Sequence, residues 1–231
     1  MPEHHTTSSS LAIELAGEKL ELYPERCLWW EKERTLIVSD IHLGKAAHFR
    51  KHGIAIPGDV NADNLKRLEA LILRHQPDRL LVLGDLFHSS LNAEWHDFRD
   101  WLEKINQEYA LNEFRLVEGN HDILPGHAFD DMRIQRGASW SKGPFEFVHD
   151  PDDFSAARSP GKIGVAGHLH PALLLQGKAK QRLRLPGWWF QRENQALIMP
   201  NFGTFTGSSA VKMKEGDQFW IATEESVMPA N

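Results

Sequence analysis

The run Leu36-Ile37-Val38-Ser39-Asp40-Ile41-His42 constrains this chain more than any other stretch. A short apolar segment sends a strand into the core and delivers Asp40 and His42 at its end, two positions apart and therefore on one face of an extended chain. The pattern then recurs. Arg79-Leu80-Leu81-Val82-Leu83 is apolar after its first residue, as a strand covered on both faces must be, and it runs into Gly84-Asp85. Phe114-Arg115-Leu116-Val117 leads in the same way to Glu118-Gly119-Asn120-His121-Asp122. Between these strands, Leu65, Leu68 and Ile72, and then Trp95, Phe98, Leu102, Ile105 and Tyr109, recur at helical intervals. The first helix is expected to be capped by Asp59 or Asn61 and to end near His75, before Pro77. Open α/β sheets of this kind collect their ligands at the carboxyl ends of the strands.

The flanking segments read as β. Leu11, Ile13 and Leu15 alternate with polar or small neighbours, and Ala16-Gly17-Glu18 turns the chain into Leu20-Glu21-Leu22, a hairpin. Cys27-Leu28-Trp29-Trp30 follows as a third short strand before the charged turn Glu31 to Arg34. From Met132 onward short alternating segments are separated by Gly and Pro. Phe145-Glu146-Phe147-Val148 leads to His149, and Ile163-Gly164-Val165-Ala166 leads to Gly167-His168-Leu169-His170. Pro151 to Lys162 is expected to be a surface loop. Residues 1–10 hold no apolar segment and are expected to be disordered, leaving residues 11–225 as a single domain.

No apolar run approaches the ~18 residues a membrane span needs. With one cysteine, Cys27, no internal disulfide framework is possible, so a soluble, cytoplasmic protein is expected. A formal charge of −6 argues against non-specific coating of nucleic acid, while aspartates clustered in a cleft would be neutralised by bound cations. Thirteen histidines, gathered around glycines and aspartates, favour a metal enzyme.

Asp40-Ile41-His42, Gly84-Asp85, Gly119-Asn120-His121-Asp122, His149 and Gly167-His168-Leu169-His170 resemble, in order, the signature blocks of the calcineurin-like metallophosphoesterase superfamily. The resemblance implies a metallophosphoesterase-type β-sandwich of two mixed sheets flanked by helices, an αββα arrangement of four layers. It implies two divalent metal ions: Asp40, His42 and His170 on the first, Asn120, His149 and His168 on the second, and Asp85 bridging them. Two cations so held lower the pKa of a bridging water, which becomes the nucleophile. His121 would protonate the departing oxygen and Asp122 would fix its tautomer. Manganese is the metal expected from mixed oxygen and nitrogen donors, with zinc, iron and magnesium as alternatives. The superfamily usually has His-Gly where this chain has His149-Asp150, and Asp150 is expected to cap the Pro151 turn rather than to touch metal.

Asp40 to Lys45, Phe49-Arg50, Gly53 to Pro57, Gly84 to Ser89 and Leu197 to Gly207 are further similar to the bacterial ligase-associated metallophosphoesterases. That likeness implies a phosphodiesterase acting on DNA, a nuclease or endonuclease in DNA repair, working beside an ATP-dependent DNA ligase, a helicase and an exonuclease-like protein. The alternatives are a small-molecule phosphodiesterase or pyrophosphatase of the same fold, and a non-catalytic metal-binding scaffold, which would be expected to have lost ligands. His48, Arg50 and Lys51 are candidates for substrate contact against an ordinary solvated loop, and His88 against a loop histidine satisfied by backbone. His75, His96 and His127 read as surface or helix-end residues. Lys178, Lys180, Arg182 and Arg184 alternate with Ala179, Gln181, Leu183 and Leu185. They form either a track for a nucleic-acid backbone or, the expected case, an edge strand guarded by charge. The glycines and aromatics of Leu197 to Gly207 are expected to do no more than close the second sheet.

Overall fold

The computed structural model describes residues 9–45, 49, 60–88, 93–109, 111–122, 126–154, 161–177 and 181–230. A seven-stranded sheet takes its strands in chain order: β1 (Leu11–Leu15), β2 (Glu18–Tyr23), β3 (Cys27–Trp30), β4 (Thr35–Val38), β5 (Arg79–Leu83), β6 (Glu113–Val117) and β7 (Ile134–Gly137). Hairpin turns make β1 to β4 antiparallel, whereas helical crossovers make β4 to β7 parallel. The crossovers carry helices α1 (Val60–His75), α2 (Ala93–Glu108) and the short α3 (Gly126–Asp131), the last with no counterpart in the sequence reading. Asn61 lies inside α1, and its side chain accepts the Gly44 N–H at 3.2 Å.

The second half is β, as expected: β8 (Ser139–Lys142), β9 (Phe145–Val148), β10 (Ile163–Ala166), β11 (Pro171–Gln176), β12 (Arg182–Gln191), β13 (Ala196–Ile198), β14 (Ser209–Ala210), β15 (Gln218–Ala222) and β16 (Val227–Pro229). They form one sheet in the order β14-β11-β12-β13-β10-β9-β8, with β15 and β16 added along β12. Its β9, β10 and β13 are mutually parallel, so both sheets are mixed.

Period-two alternation assigns the faces. Ile37, Leu81, Leu83 and Val117 point from the first sheet toward Phe145, Phe147, Val165, Trp188 and Leu197 of the second, forming the inner core. Leu36, Val38, Leu80, Val82 and Leu116 point the other way, onto Leu65, Leu68 and Ile72 of α1 and Phe98, Leu102 and Ile105 of α2. Burial on both faces explains why β4 and β5 are apolar runs; truncating Leu81 to Ala would cost about 2–5 kcal/mol. The fourth layer is thin among the described residues. A single 3-10 turn, Pro151–Asp153, opens the segment from Pro151, and Phe154 beyond it packs on Val148, Ala166, Ala196 and Ile198. Because β4, β5, β6, β9 and β10 all end on one rim of the sandwich, the residues that follow them meet there.

Candidate metal centre

Asp40, His42 and His170 bring one ligand atom each within 4.8 Å of one another, and so do Asp40, Asp85 and His149. Asp85 faces both ways. Its Oδ2 lies 3.6 Å from His42 Nε2 and its Oδ1 lies 3.5 Å from His149 Nε2. Asn120 Oδ1 and His168 Nδ1 approach the same His149 nitrogen to 3.2 Å and 3.1 Å. All seven residues expected as ligands therefore converge, although they are spread from position 40 to position 170.

The backbone is bent to achieve this. Asp40, His42, Asp85, His168 and His170 all have positive φ, between 46° and 62°. Such conformations cost a non-glycine residue free energy and collect at functional sites, where the surroundings over-determine them. Here that surrounding is a set of hydrogen bonds between the loops after β4 and β5: Asp40 N–H to Gly84 O at 3.1 Å, His42 N–H to Asp85 O at 2.9 Å and Leu43 N–H to Leu86 O at 2.9 Å. The His168 N–H donates to Asp40 Oδ2 at 3.1 Å, joining the second sheet to the first. The Ser39 hydroxyl, buried and overlooked in the sequence, lies against Asp40 Oδ2 and 2.9 Å from Leu83 O. Gly167 leaves room for this cluster, since a Cβ there would stand 2.6 Å from Asp40 Oδ2.

Two imidazoles have their tautomers fixed by carbonyl groups, which can only accept. His149 Nδ1–H donates to Leu83 O at 2.9 Å and His170 Nδ1–H donates to Gly207 O at 3.0 Å. Each ring then turns an Nε2 lone pair into the cluster, the arrangement by which outer partners orient a metal-binding histidine. His170 Nε2 comes to 2.9 Å from Asp40 Oδ1, off the line of a hydrogen bond. Among the described residues, Asp40 Oδ1, His170 Nε2 and both His42 nitrogens are buried without a hydrogen-bond partner. Electron-rich atoms facing one another in a buried site require positive charge among them, so the donor set fits divalent cations.

The electrostatics agree. Burial pushes the Asp40 carboxyl up, but positive charge placed at His170 and His149 outweighs it and holds the group below the ordinary range, the direction in which a cation at the same place would act. Burial and the Asp40 charge hold Asp85 above its ordinary value, against the pull of His149. Burial, reinforced by the Lys45 charge, drives His42 down to about 3, so its ring is neutral and available as a donor. Lys45 is itself pulled down by burial while Asp40 and Asp85 draw it up, which sets its charge near the carboxylates.

His121 donates its N–H to Asp85 Oδ1 at 3.0 Å, and its ring lies 5.7 Å from the His42 ring. His88 joins them. Its ring centroid is 4.9 Å from that of His121 and 5.5 Å from that of His42, so it lines the centre. Asp122 does something other than expected. Its Oδ1 accepts the Leu86 and Phe87 N–H groups at 2.9 Å and 3.2 Å, and its Oδ2 accepts the Gly119 N–H at 2.9 Å. Both oxygens are thus occupied in clamping the loop after β5 to the loop after β6, and burial lifts this carboxyl to about 6 despite the N–H donors.

Asp150 caps the 3-10 turn as expected, its Oδ1 accepting Asp152 N–H at 3.0 Å, while its Oδ2 also reaches to 3.4 Å from His168 Nε2. His75 ends α1, as expected, and is half-buried, its ring held between Tyr23 and Trp29 at centroid distances of 4.7 Å and 4.9 Å. His48, Arg50, Lys51, Lys178 and Lys180, and the side chain of His127, lie outside the described residues. Arg182 and Arg184 open β12, with Leu183 between them on the other face. Over Arg182 to Pro186 that strand pairs with β11 alone among the described strands, which suits the edge-strand reading. The segment 201–207 corrects the expectation that it merely closes a sheet. Phe202 N–H donates to Ser39 O at 2.7 Å and Gly203 N–H to Asp40 O at 3.0 Å, so it backs the first ligand.

Two mixed sheets with such a donor cluster on their common rim define a metal-dependent phosphoesterase. Residues 33–204 match the calcineurin-like phosphoesterase family, and the chain belongs to it. The crystal structure of the nuclease MPE of Pseudomonas putida is similar at 28% identity and a TM-score of 0.78, covering 96% of this chain and 100% of that one. The phosphoesterase Yfce of E. coli is 15% identical over 84% of this chain and 96% of its own, at a TM-score of 0.43. No curated protein sequence matches the chain. Among the described residues, no helix is long and apolar enough to cross a membrane.

Proposed function

We propose that the chain is a phosphodiesterase with a two-metal centre that cleaves DNA in the course of repair. The observation that carries this reading is the placement of Asp85, one carboxylate oxygen turned to His42 and the other to His149. A single carboxylate set between two nitrogen-containing donor groups suits a bridge between two cations. In this reading Asp40, His42 and His170 would hold one ion, Asn120, His149 and His168 would hold the other, and Asp85 would serve both. Bound cations supply Lewis acidity and a water acidic enough to attack at neutral pH. The chain's own residues do the rest. Asn120 contributes an oxygen without charge, which keeps the site open to an anionic phosphodiester. His121, beside His42, gives a proton to the departing oxygen, and His88 packs against His121 on the substrate side. Asp122 holds the two loops that carry Asp85 and Asn120 at a fixed separation.

Manganese is the metal proposed, since the set mixes carboxylate and amide oxygens with imidazoles. The similar Pseudomonas putida protein is named a nuclease, which favours DNA over a small-molecule diester. A DNA ligase, a helicase and an exonuclease-like protein are the partners proposed, in a cytoplasmic setting that accords with the free, buried Cys27. Residues 11–225 act as one domain in this reading.

The test is cleavage of plasmid and of single-stranded DNA by metal-stripped protein, with and without added manganese. Cleavage should need the metal and should fall at least about a hundredfold in His121→Ala and in Asp85→Asn. Metal-dependent turnover of nucleoside diphosphate esters, with no DNA cleaved at any metal concentration, would overturn the DNA reading. Phosphodiester cleavage undiminished by chelation would overturn the two-metal reading.

A further inference from the structure

Phe205 is 41% exposed and is the one aromatic among the large apolar side chains that stand in solvent in the described residues. Isolated exposed apolar residues are ordinary and carry no meaning by themselves. This one is distinguished by how its loop is held. Upstream, Gly203 N–H donates to Asp40 O at 3.0 Å, and a Cβ on Gly203 would lie 2.5 Å from Ile41 O, so the loop is pressed against the backbone of the metal-facing segment. Thr204 adds contacts to Asn64 Oδ1, at 3.4 Å from its N–H and 3.3 Å from its hydroxyl. Downstream, Gly207 O accepts from His170 Nδ1 at 3.0 Å, and Ser209 N–H donates to His170 O at 2.9 Å. Arg184 Nη1 donates to Ser208 O at 2.8 Å, setting an exposed cation beside the same loop.

Phe205 is two residues from Gly203 and two from Gly207, and chain geometry limits its Cα to within about 7 Å of the Cα of each. A loop fastened to Asp40 on one side and to His170 on the other has little freedom to tuck the ring away. The ring is therefore presented to water from a loop whose two ends are fastened to Asp40 and to His170.

We infer that Phe205 is a platform on which an unpaired nucleobase stacks, positioning the neighbouring phosphodiester at the centre. The inference rests on the DNA reading above and deepens it. Every base offers a π face, so the contact is tolerant of sequence, whereas a base inside a duplex has both faces covered and cannot use it. Arg184 supplies a cation for the phosphate chain at the edge of the same loop.

The experiment compares wild type, Phe205→Ala and Phe205→Trp, loaded with manganese, on a single-stranded oligodeoxynucleotide and on a set of the same oligomer with one abasic position moved along the chain. Phe205→Ala should raise KM for the intact oligomer by roughly tenfold to a hundredfold, with kcat less affected, and Phe205→Trp should restore it. Moving the abasic position should reveal one place where wild type weakens and Phe205→Ala does not weaken further. Unbound protein should take up manganese identically in all three, which separates stacking from damage to the centre. Equal KM for wild type and Phe205→Ala on the intact oligomer, or losses that add independently at every abasic position, would overturn the inference while leaving DNA cleavage intact. If wild type cleaves no oligomer at all, the DNA reading itself fails and takes the inference with it.

Discussion

Replacing Gly167 by Ala probes the centre without removing any of its donors. The new Cβ would sit 1.8 Å from Ser39 Oγ, 2.6 Å from Asp40 Oδ2 and 3.0 Å from Leu83 O. Ordinary contact begins near 3.4 Å, so the hydroxyl must retreat by about 1.6 Å and the carboxylate oxygen by about 0.8 Å. Neither has free space, because Ser39 and Asp40 are fully buried and Leu83 O belongs to the central strand. Overpacking of this kind costs about 1–3 kcal/mol, which for a chain of this size lowers Tm by ~2–12 °C. Metal sites tolerate displacements of ~0.2 Å, and a 1 Å error in a reacting group costs about a hundredfold. Gly167→Ala should therefore still fold, bind the first manganese at least about tenfold more weakly, and lose about a hundredfold in kcat/KM. Manganese binding by calorimetry on chelator-treated protein, beside thermal melts, reads both effects. An unchanged binding isotherm together with an unchanged Tm would refute the claim that this glycine makes room for Asp40.

Three further outcomes are expected. Asp122→Ala strands the Leu86, Phe87 and Gly119 N–H groups and should destabilise the protein by about 3 kcal/mol or more in urea titrations of the metal-free chain; a fall in kcat with no change in stability would instead favour the tautomer role first expected of Asp122. Manganese at about a hundred times its Kd should stabilise the fold by ~2.7 kcal/mol and raise Tm by ~5–11 °C, reversibly on chelation; a flat melting temperature would count against a preformed cation site. His75 is held below its ordinary pKa of 6.5 by burial and by Arg74, with Glu21 and Glu25 acting the other way. The unfolded chain therefore takes up a proton that the folded chain resists, so its contribution is intact above pH 6.5 and declines as pH falls from there toward the folded value. His75→Gln should make metal-free melts less pH-dependent below that point, and a slope identical to wild type would remove His75 from the account.

The parallel core, its apolar strands, the two long helices and the order in which donors follow strands are all legible in the residues. These are local consequences of residue type and period: Leu80 to Leu83 must be buried on both faces wherever the strand lies, and Asp85 must follow it. All of the expected ligands met because each is tied to a strand end, and parallel strands end together. Contacts between segments distant in the chain leave no periodic trace and emerge only once the strands are packed. Asp122 looked like a partner for His121 because the two are adjacent in sequence, yet its oxygens found the closer N–H groups of Leu86 and Phe87 across the sheet. The 201–207 segment read as sheet closure, since nothing in its glycines and aromatics announces that Gly203 would lie against Asp40. The left-handed backbone at Asp40, His42, Asp85, His168 and His170 was equally invisible. Residue type favours such conformations most for glycine, and Asp and His enter them more readily than other side chains, but here a network of inter-loop hydrogen bonds decides which of them do.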